Sequence, residues 1–215
     1  MNRVLLFLSF TILIAACSPD QSDPVAGPES EKPARDNPAA LQADSGADIA
    51  SKESTRARAA IGAFASALQA ELKHAMQQGG PVNAIGVCNT TAMPITAKVS
   101  LEQGLTLSRV SRKNRNPANA PKYWQGKVLE SFENQKAAGD DLATMAWSEV
   151  ATVDGKQQFR FMKAIPTGAL CLQCHGSDIS PEVSARLAEL YPADKATGYA
   201  AGDIRGAFVV TRKLP

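Results

Sequence analysis

Two stretches with helical apolar spacing follow residue 54 of the 215-residue chain. In the first, large apolar residues recur every three or four positions, at Ile61, Phe64, Leu68, Leu72 and Met76. This spacing predicts a helix from Thr55 to Gln78, and Gly79-Gly80-Pro81 is a typical stop. The second stretch continues to about Gln103, with its stripe at Ile85, Cys88, Ala92, Ile95 and Val99. Pro94 has no backbone N–H to donate, so we expect a kink near residues 90–94.

The pattern changes to strand-like segments after the second helix. The predicted elements are a strand at 105–110, a helix at 122–136, two strands at 145–153 and 156–165, a helix at 181–190 and a strand at 206–212. Asp154-Gly155 between the two middle strands is a strong hairpin turn. Long helices followed by a mostly antiparallel sheet predict an α+β fold.

The first quarter of the chain, residues 1–53, has a different composition. Residues 1–16 read as a lipoprotein signal peptide: a short positive start, an apolar run too short to span a bilayer, and small residues before Cys17. Acylation of Cys17 would anchor the chain to a membrane. Residues 17–53, rich in proline and acidic side chains, read as a disordered tether, which leaves residues 54–215 as one domain. An ordinary secretory signal with a chance cysteine is the alternative.

Residues 171–175 read Cys-Leu-Gln-Cys-His, the attachment motif of a c-type haem. Cys171 and Cys174 would form thioethers with the haem vinyl groups, and His175 would be one axial ligand of the iron. One covalent haem c is therefore the predicted cofactor. A redox dithiol or a zinc site is the alternative, but a dithiol does not use the histidine and zinc requires further ligands.

Cys88 remains without an assigned partner once Cys17, Cys171 and Cys174 are accounted for. From the residue pattern alone, it is equally well a small buried side chain or a thiolate ligand on the iron opposite His175. The competing sixth ligands are Met76, Met93, Met145, Met162 and His74. The spacing of the first helix places His74 off the apolar stripe, which favours a solvated side chain.

Several further stretches carry a resemblance beyond single residues. They are residues 84–88 (AIGVC), 109–111 (RVS), 115–121 (RNPANAP), Trp124, 171–176 (CLQCHG) and 202–208 (GDIRGAF). In this order they resemble a family of c-type haem domains with a PAS-like fold, long catalogued as a domain of unknown function. Its members are exported cytochromes or sensing modules of signalling proteins. The resemblance implies a PAS-like fold, with His175 and Cys88 as the axial ligands.

Five cations lie within residues 109–122 without an acid. Arg109 and Arg115 fall inside the resembling stretches and are the candidates for holding the haem propionates, because guanidinium groups pair well with carboxylates. Trp124 is a candidate for packing near the macrocycle. Residues 18–52 of the tether have net charge −4 and residues 53–215 have +5, which two propionates would lower, so nucleic-acid binding is not indicated.

These observations predict a non-enzymatic, lipid-anchored monohaem cytochrome with His/Cys ligation that acts in electron transfer or redox sensing. The alternatives are a haem-based sensor of a small gas, signalling through a partner protein, and a peroxidase-like haem enzyme. The expected partners are the membrane and an unidentified redox or signalling protein. We expect export to the periplasmic face, and Ser18 after the lipid cysteine favours the outer membrane.

Overall fold

The computed structural model describes residues 38–215, with side chains from residue 46 onward. The predicted signal peptide (1–16), the acylation site Cys17 and the first part of the predicted tether lie outside the described residues. Within the described part, no helix is both long enough and apolar enough to cross a membrane.

The helical part begins earlier than the sequence suggested. Helix α1 spans Pro38–Gly86, so it includes residues 38–53, which the sequence assigned to the disordered tether. The end of that segment is anchored to the domain, because the buried carboxylate of Glu53 pairs with Arg212 on the last strand and with Arg56. A contact between residues this far apart leaves no trace in local composition.

The predicted break at Gly79-Gly80 is confirmed, since both glycines have non-helical backbone angles inside α1. Gly80 has φ 63°, a value that favours glycine. The chain then forms a single π-helical turn, Val87–Thr91, before α2 (Ala92–Gln103). In this turn the Ala92 N–H donates to the Val87 carbonyl five residues back. The turn overlaps the kink predicted at residues 90–94 only at residues 90 and 91, and it carries Cys88.

Four antiparallel strands form one sheet in the order β1-β4-β3-β2. They are β1 (Thr106–Val110), β2 (Ala146–Val153), β3 (Lys156–Pro166) and β4 (Ile204–Lys213). The predicted Asp154-Gly155 turn joins β2 to β3, and both residues have positive φ, as a tight hairpin requires. The remaining helices are α3 (Tyr123–Ala137), α4 (Leu172–His175) and α5 (Pro181–Leu190). The α+β fold class is thus confirmed.

The sheet has a core on each face. One face, here called the helix-pair face, packs against α1 and α2 through Phe64, Val99, Phe161 and Val210. The other, the α3 face, packs against α3 through Leu129, Phe132, Met162 and Val209. Neighbouring residues of β4 alternate between the two cores, as strand geometry dictates. A third group, the α5 cluster, joins Ile85 of α1 to Val183, Leu187 and Tyr191.

Candidate functional site

The Cys-x-x-Cys-His motif follows β3. Its first cysteine ends a short 3-10 turn (Ala169–Cys171), and its other four residues form α4. Both thiols are free and half-buried. Gly176 ends the helix, and a Cβ there would lie 2.6 Å from the Leu172 carbonyl oxygen. Only glycine therefore fits directly after His175. Cys174 packs against the α5 cluster, which also holds Ile85, three residues before Cys88.

His175 is oriented by a main-chain hydrogen bond. Its Nδ1 lies 2.7 Å from the carbonyl oxygen of Ala196, so Nδ1–H donates and Nε2 keeps its lone pair. The Tyr199 ring meets the imidazole edge-on, with centroids 6.3 Å apart. Burial lowers the pKa of His175 to about 3, the charges of Arg205 and Arg115 act in the same direction, and the bond to Ala196 opposes them. The imidazole is therefore neutral, the form that binds a metal.

Residues 194–199, here called the proximal loop, wrap around the motif. Tyr199 donates its N–H to the His175 carbonyl at 2.9 Å, and Gly198 donates to Gly176 at 2.9 Å. The Tyr199 hydroxyl reaches back to Ser111 after β1 at 3.3 Å. The motif is thus held by main-chain bonds from a segment that follows it by about twenty residues.

Cys88 lies half-buried on the π-helical turn. Burial raises the pKa of its thiol, and the charges of Arg109, Arg115 and Arg205 oppose that rise. Burial also raises the pKa of Cys174, with a contribution from Cys88. The fold therefore brings Cys88 and the Cys-x-x-Cys-His motif into one electrostatic neighbourhood, although 83 positions separate Cys88 from Cys171.

The two arginines predicted to hold propionates have different environments. Arg109 lies over the Phe64 ring at 5.1 Å, and within residues 46–215 its guanidinium forms neither an ion pair nor a hydrogen bond. Burial lowers the pKa of Arg109, and Cys88 and Tyr191 oppose this. Arg115 is already engaged: it pairs with Asp194 at 2.9 Å and donates to the Cys174 carbonyl at 2.5 Å. Of the two, Arg109 is free to take a new partner.

Arg205 is a site residue that the sequence did not single out. Its guanidinium donates to the Ser111 hydroxyl at 3.1 Å and the Lys113 carbonyl at 3.2 Å, and it lies over the Tyr199 ring at 5.3 Å. It forms no ion pair with the described residues. Its position inside the 202–208 stretch, which resembles the haem family, was the available signal.

Trp124 lies at the α3-face core. It packs on the α3 face against Trp147, with centroids 5.8 Å apart, and Arg160 lies over its ring at 4.9 Å. Met145 and Met162 belong to the same core, while Met93 is 56% exposed. His74 is exposed on α1. Among the competing sixth ligands, Met145 and Met162 are thus packed in the α3-face core, whereas Met93 and His74 are exposed.

A neutral histidine with a fixed ring, two free thiols beside it and a third thiol nearby, on an α+β domain, form the donor set of a haem protein. The chain belongs to the Tll0287-like family, whose sequence profile matches residues 37–212. A solved structure, the crystal structure of the cyanobacterial haem protein Tll0287, is similar at 25% identity, with 57% of this chain and 71% of that chain covered and a TM-score of 0.46. No curated protein matched the chain.

Proposed function

We propose that the protein is a monohaem c-type cytochrome in which Cys171 and Cys174 hold the haem covalently and His175 is the proximal ligand. The observation that carries the proposal is the orientation of His175. Its Nδ1–H donates a hydrogen bond to the Ala196 carbonyl, so its Nε2 keeps a lone pair for a metal, beside two unpaired thiols. A closed zinc site is not supported, because no three His, Cys, Asp or Glu side chains converge among the described residues.

Cys88 is the distal ligand in this proposal. It lies on a π-helical turn, a feature that often occurs at functional sites. A thiolate would balance the single positive charge of a ferric porphyrin. Arg109 and Arg205, neither of which forms an ion pair in the described part, match the two propionates in number. Charge therefore favours a thiolate-ligated haem at this position.

Haem supplies one-electron chemistry, and the protein contributes its ligands and surroundings. If His175 and Cys88 both bound the iron, it would have no open site for a substrate, so we propose electron transfer or redox sensing rather than catalysis. The thiolate stabilises the ferric state, which places the potential below that of His/Met cytochromes. A PAS-like fold and an unidentified redox or signalling partner complete the proposal.

The test of covalent haem is denaturing gel electrophoresis with haem staining, after expression with a c-type haem attachment system. The wild-type band should stain, and the colour should survive acid-acetone extraction. Cys171→Ala with Cys174→Ala should give an unstained band, while Cys88→Ala should still stain because it leaves the thioethers intact. A wild-type band that loses its colour on extraction would refute covalent attachment.

Export and anchoring rest on the sequence before Cys17. We propose a periplasmic protein held by an acylated Cys17, with the outer membrane favoured by Ser18. Mass spectrometry of the mature N-terminus should find an acylated cysteine, and Cys17→Ala should release the protein without altering its spectrum. A mature N-terminus at another residue would refute the anchor.

A gas-sensing role is the second candidate, and the environment of Cys88 favours it. Burial raises the pKa of this thiol, so it is more easily protonated than an exposed cysteine. A reduced, electron-rich iron holds a thiolate less strongly, and loss of the ligand would open a position for a small gas. Carbon monoxide binding by the reduced wild-type protein would favour the sensor, and its absence would favour electron transfer.

A further inference from the structure

Arg115 and Asp194 form a buried ion pair next to the histidine that the proposed function places on iron. The Nε of Arg115 lies 2.9 Å from Oδ2 of Asp194, and the side chains are only 8% and 12% exposed. Most ion pairs of the described part are far more exposed, such as Arg112–Glu130 at 54% and 52%. Removing two charges from water is costly, so a pair kept in this position needs further bonds.

Those further bonds all go to the main chain around His175. Arg115 Nη2 donates to the carbonyl of Cys174 at 2.5 Å and to that of Ala196 at 3.3 Å. Asp194 Oδ1 accepts from the N–H of Ala196 at 2.7 Å. The pair therefore holds Ala196 through both its N–H and its carbonyl. That same carbonyl accepts the Nδ1–H of His175.

We propose that Arg115 and Asp194 are positioning residues for the proximal histidine. They fix the Ala196 carbonyl, which fixes the tautomer and the ring direction of His175. The inference rests on the proposed function for its link to iron. It also replaces the propionate role predicted for Arg115, because the guanidinium already bonds to one carboxylate and two carbonyls.

The pair should also affect the iron. A hydrogen bond from Nδ1–H to a well-placed acceptor makes imidazole a stronger donor, and such outer partners tune metal sites. A stronger donor stabilises ferric iron. If Ala196 loses its bonds to Arg115 and Asp194, the hydrogen bond that its carbonyl accepts from His175 should weaken. The midpoint potential should therefore rise while the ligands stay the same.

The experiment uses the haem-loaded protein and two variants. Arg115→Lys keeps a cation for Asp194 but cannot donate to both carbonyls from a planar group. Arg115→Met with Asp194→Leu removes both charges, so no unpaired charge is left buried. Arg112→Gln is the matched control, since it removes an exposed arginine of the same segment. NMR measures the exchange of the His175 Nδ1 proton, and redox titration measures the midpoint potential.

In both test variants we expect the Nδ1 proton to exchange about fivefold faster, the effect of losing roughly one net hydrogen bond. The potential should rise, with the low-spin spectrum retained, and the control should match the wild type. Unchanged exchange and potential in the variants would overturn the proposal, as would failure of both to fold, which would make the pair a stability element only. If the wild type carries no covalent haem, the proposed function fails, and the exchange of the His175 proton still tests the positioning role.

Discussion

The two faces of the sheet differ in what they place beside their apolar cores. The α3 face is closed by Phe132 and Met162, both fully buried, and its aromatic pair Trp124–Trp147 packs at the border. The helix-pair face has an equally buried aromatic, Phe64, yet the guanidinium of Arg109 lies over that ring. On the α3 face the guanidinium over the aromatic pair is that of Arg160, which is paired with Glu149. On the helix-pair face Arg109 has no ion-pair partner in the described part.

This difference indicates that the helix-pair face carries the candidate site, whereas the α3 face mainly stabilises the fold. Cys88 and Arg109 both lie on the helix-pair side, where α1 and α2 meet β1, and the α5 cluster brings Cys174 to the same side. The α3-face core contains neither Cys88 nor Arg109 nor the cysteines and histidine of the motif. We therefore expect substitutions on the two faces to have similar effects on stability and different effects on the haem.

Phe132→Ala and Phe64→Ala test that separation and should have the largest effects. Each removes a fully buried ring, so each should lower the free energy of unfolding by about 3–5 kcal/mol in urea titrations. Phe132→Ala should leave the absorption spectrum and the potential unchanged, because its ring lies in the α3-face core. Phe64→Ala should shift the potential, because Arg109 loses the ring beneath it. Equal potentials in the two variants would contradict the separation.

The local elements of this fold could be predicted from the sequence. Helix α5 begins at Pro181 and ends at Leu190 as its spacing indicated, and the Asp154-Gly155 hairpin lies where the turn residues required it. These features depend on neighbouring residues. The packing of Glu53, just before the predicted helix start, could not be predicted, because its partner Arg212 is 159 positions away.

The candidate site likewise has one part that could be predicted from neighbouring residues and one part that depends on distant contacts. The Cys171–His175 motif is local, and the sequence indicated it directly. The partner of Arg115 was not predictable, because Asp194 follows it by 79 positions and no motif links them. Trp124 is expected near the macrocycle from its place in a resembling stretch, and this stays a prediction; the position of a residue along the chain does not determine which face of the sheet it covers. The structure places it on the α3 face.

Cys88→Ser should have the next largest effect, and it should change the properties of the haem rather than the stability of the fold. A serine hydroxyl fits the same space but is a poor ligand for iron, so the ferric spectrum should change and the potential should rise. The reduced variant should bind carbon monoxide at the vacated position. Because Cys88 is only half-buried, Cys88→Ser should change the urea midpoint of unfolding much less than Phe64→Ala does. An unchanged ferric spectrum and potential would reduce Cys88 to a packing residue, and Met76 would become the ligand to test.

Asp203 lies at the border of the α3 face, and its substitution should have the smallest effect on stability. Its carboxylate accepts from the Ala200 N–H at 2.7 Å and from Lys136 of α3 at 2.8 Å, and these two bonds lower the pKa of Asp203. A carboxyl with a lowered pKa stabilises the fold above its ordinary value of about 4, and this contribution is lost as the pH falls through the folded value. Asp203→Asn should thus be less stable than the wild type at pH 7, and the difference should narrow below about pH 4. Asp140→Asn, which removes an exposed acid whose carboxylate accepts no hydrogen bond in the described part, is the matched control for the loss of one negative charge. A difference in stability between Asp203→Asn and the wild type that stays constant from pH 7 to pH 3 would contradict this prediction. It would show that the ionised carboxylate of Asp203 does not stabilise the fold.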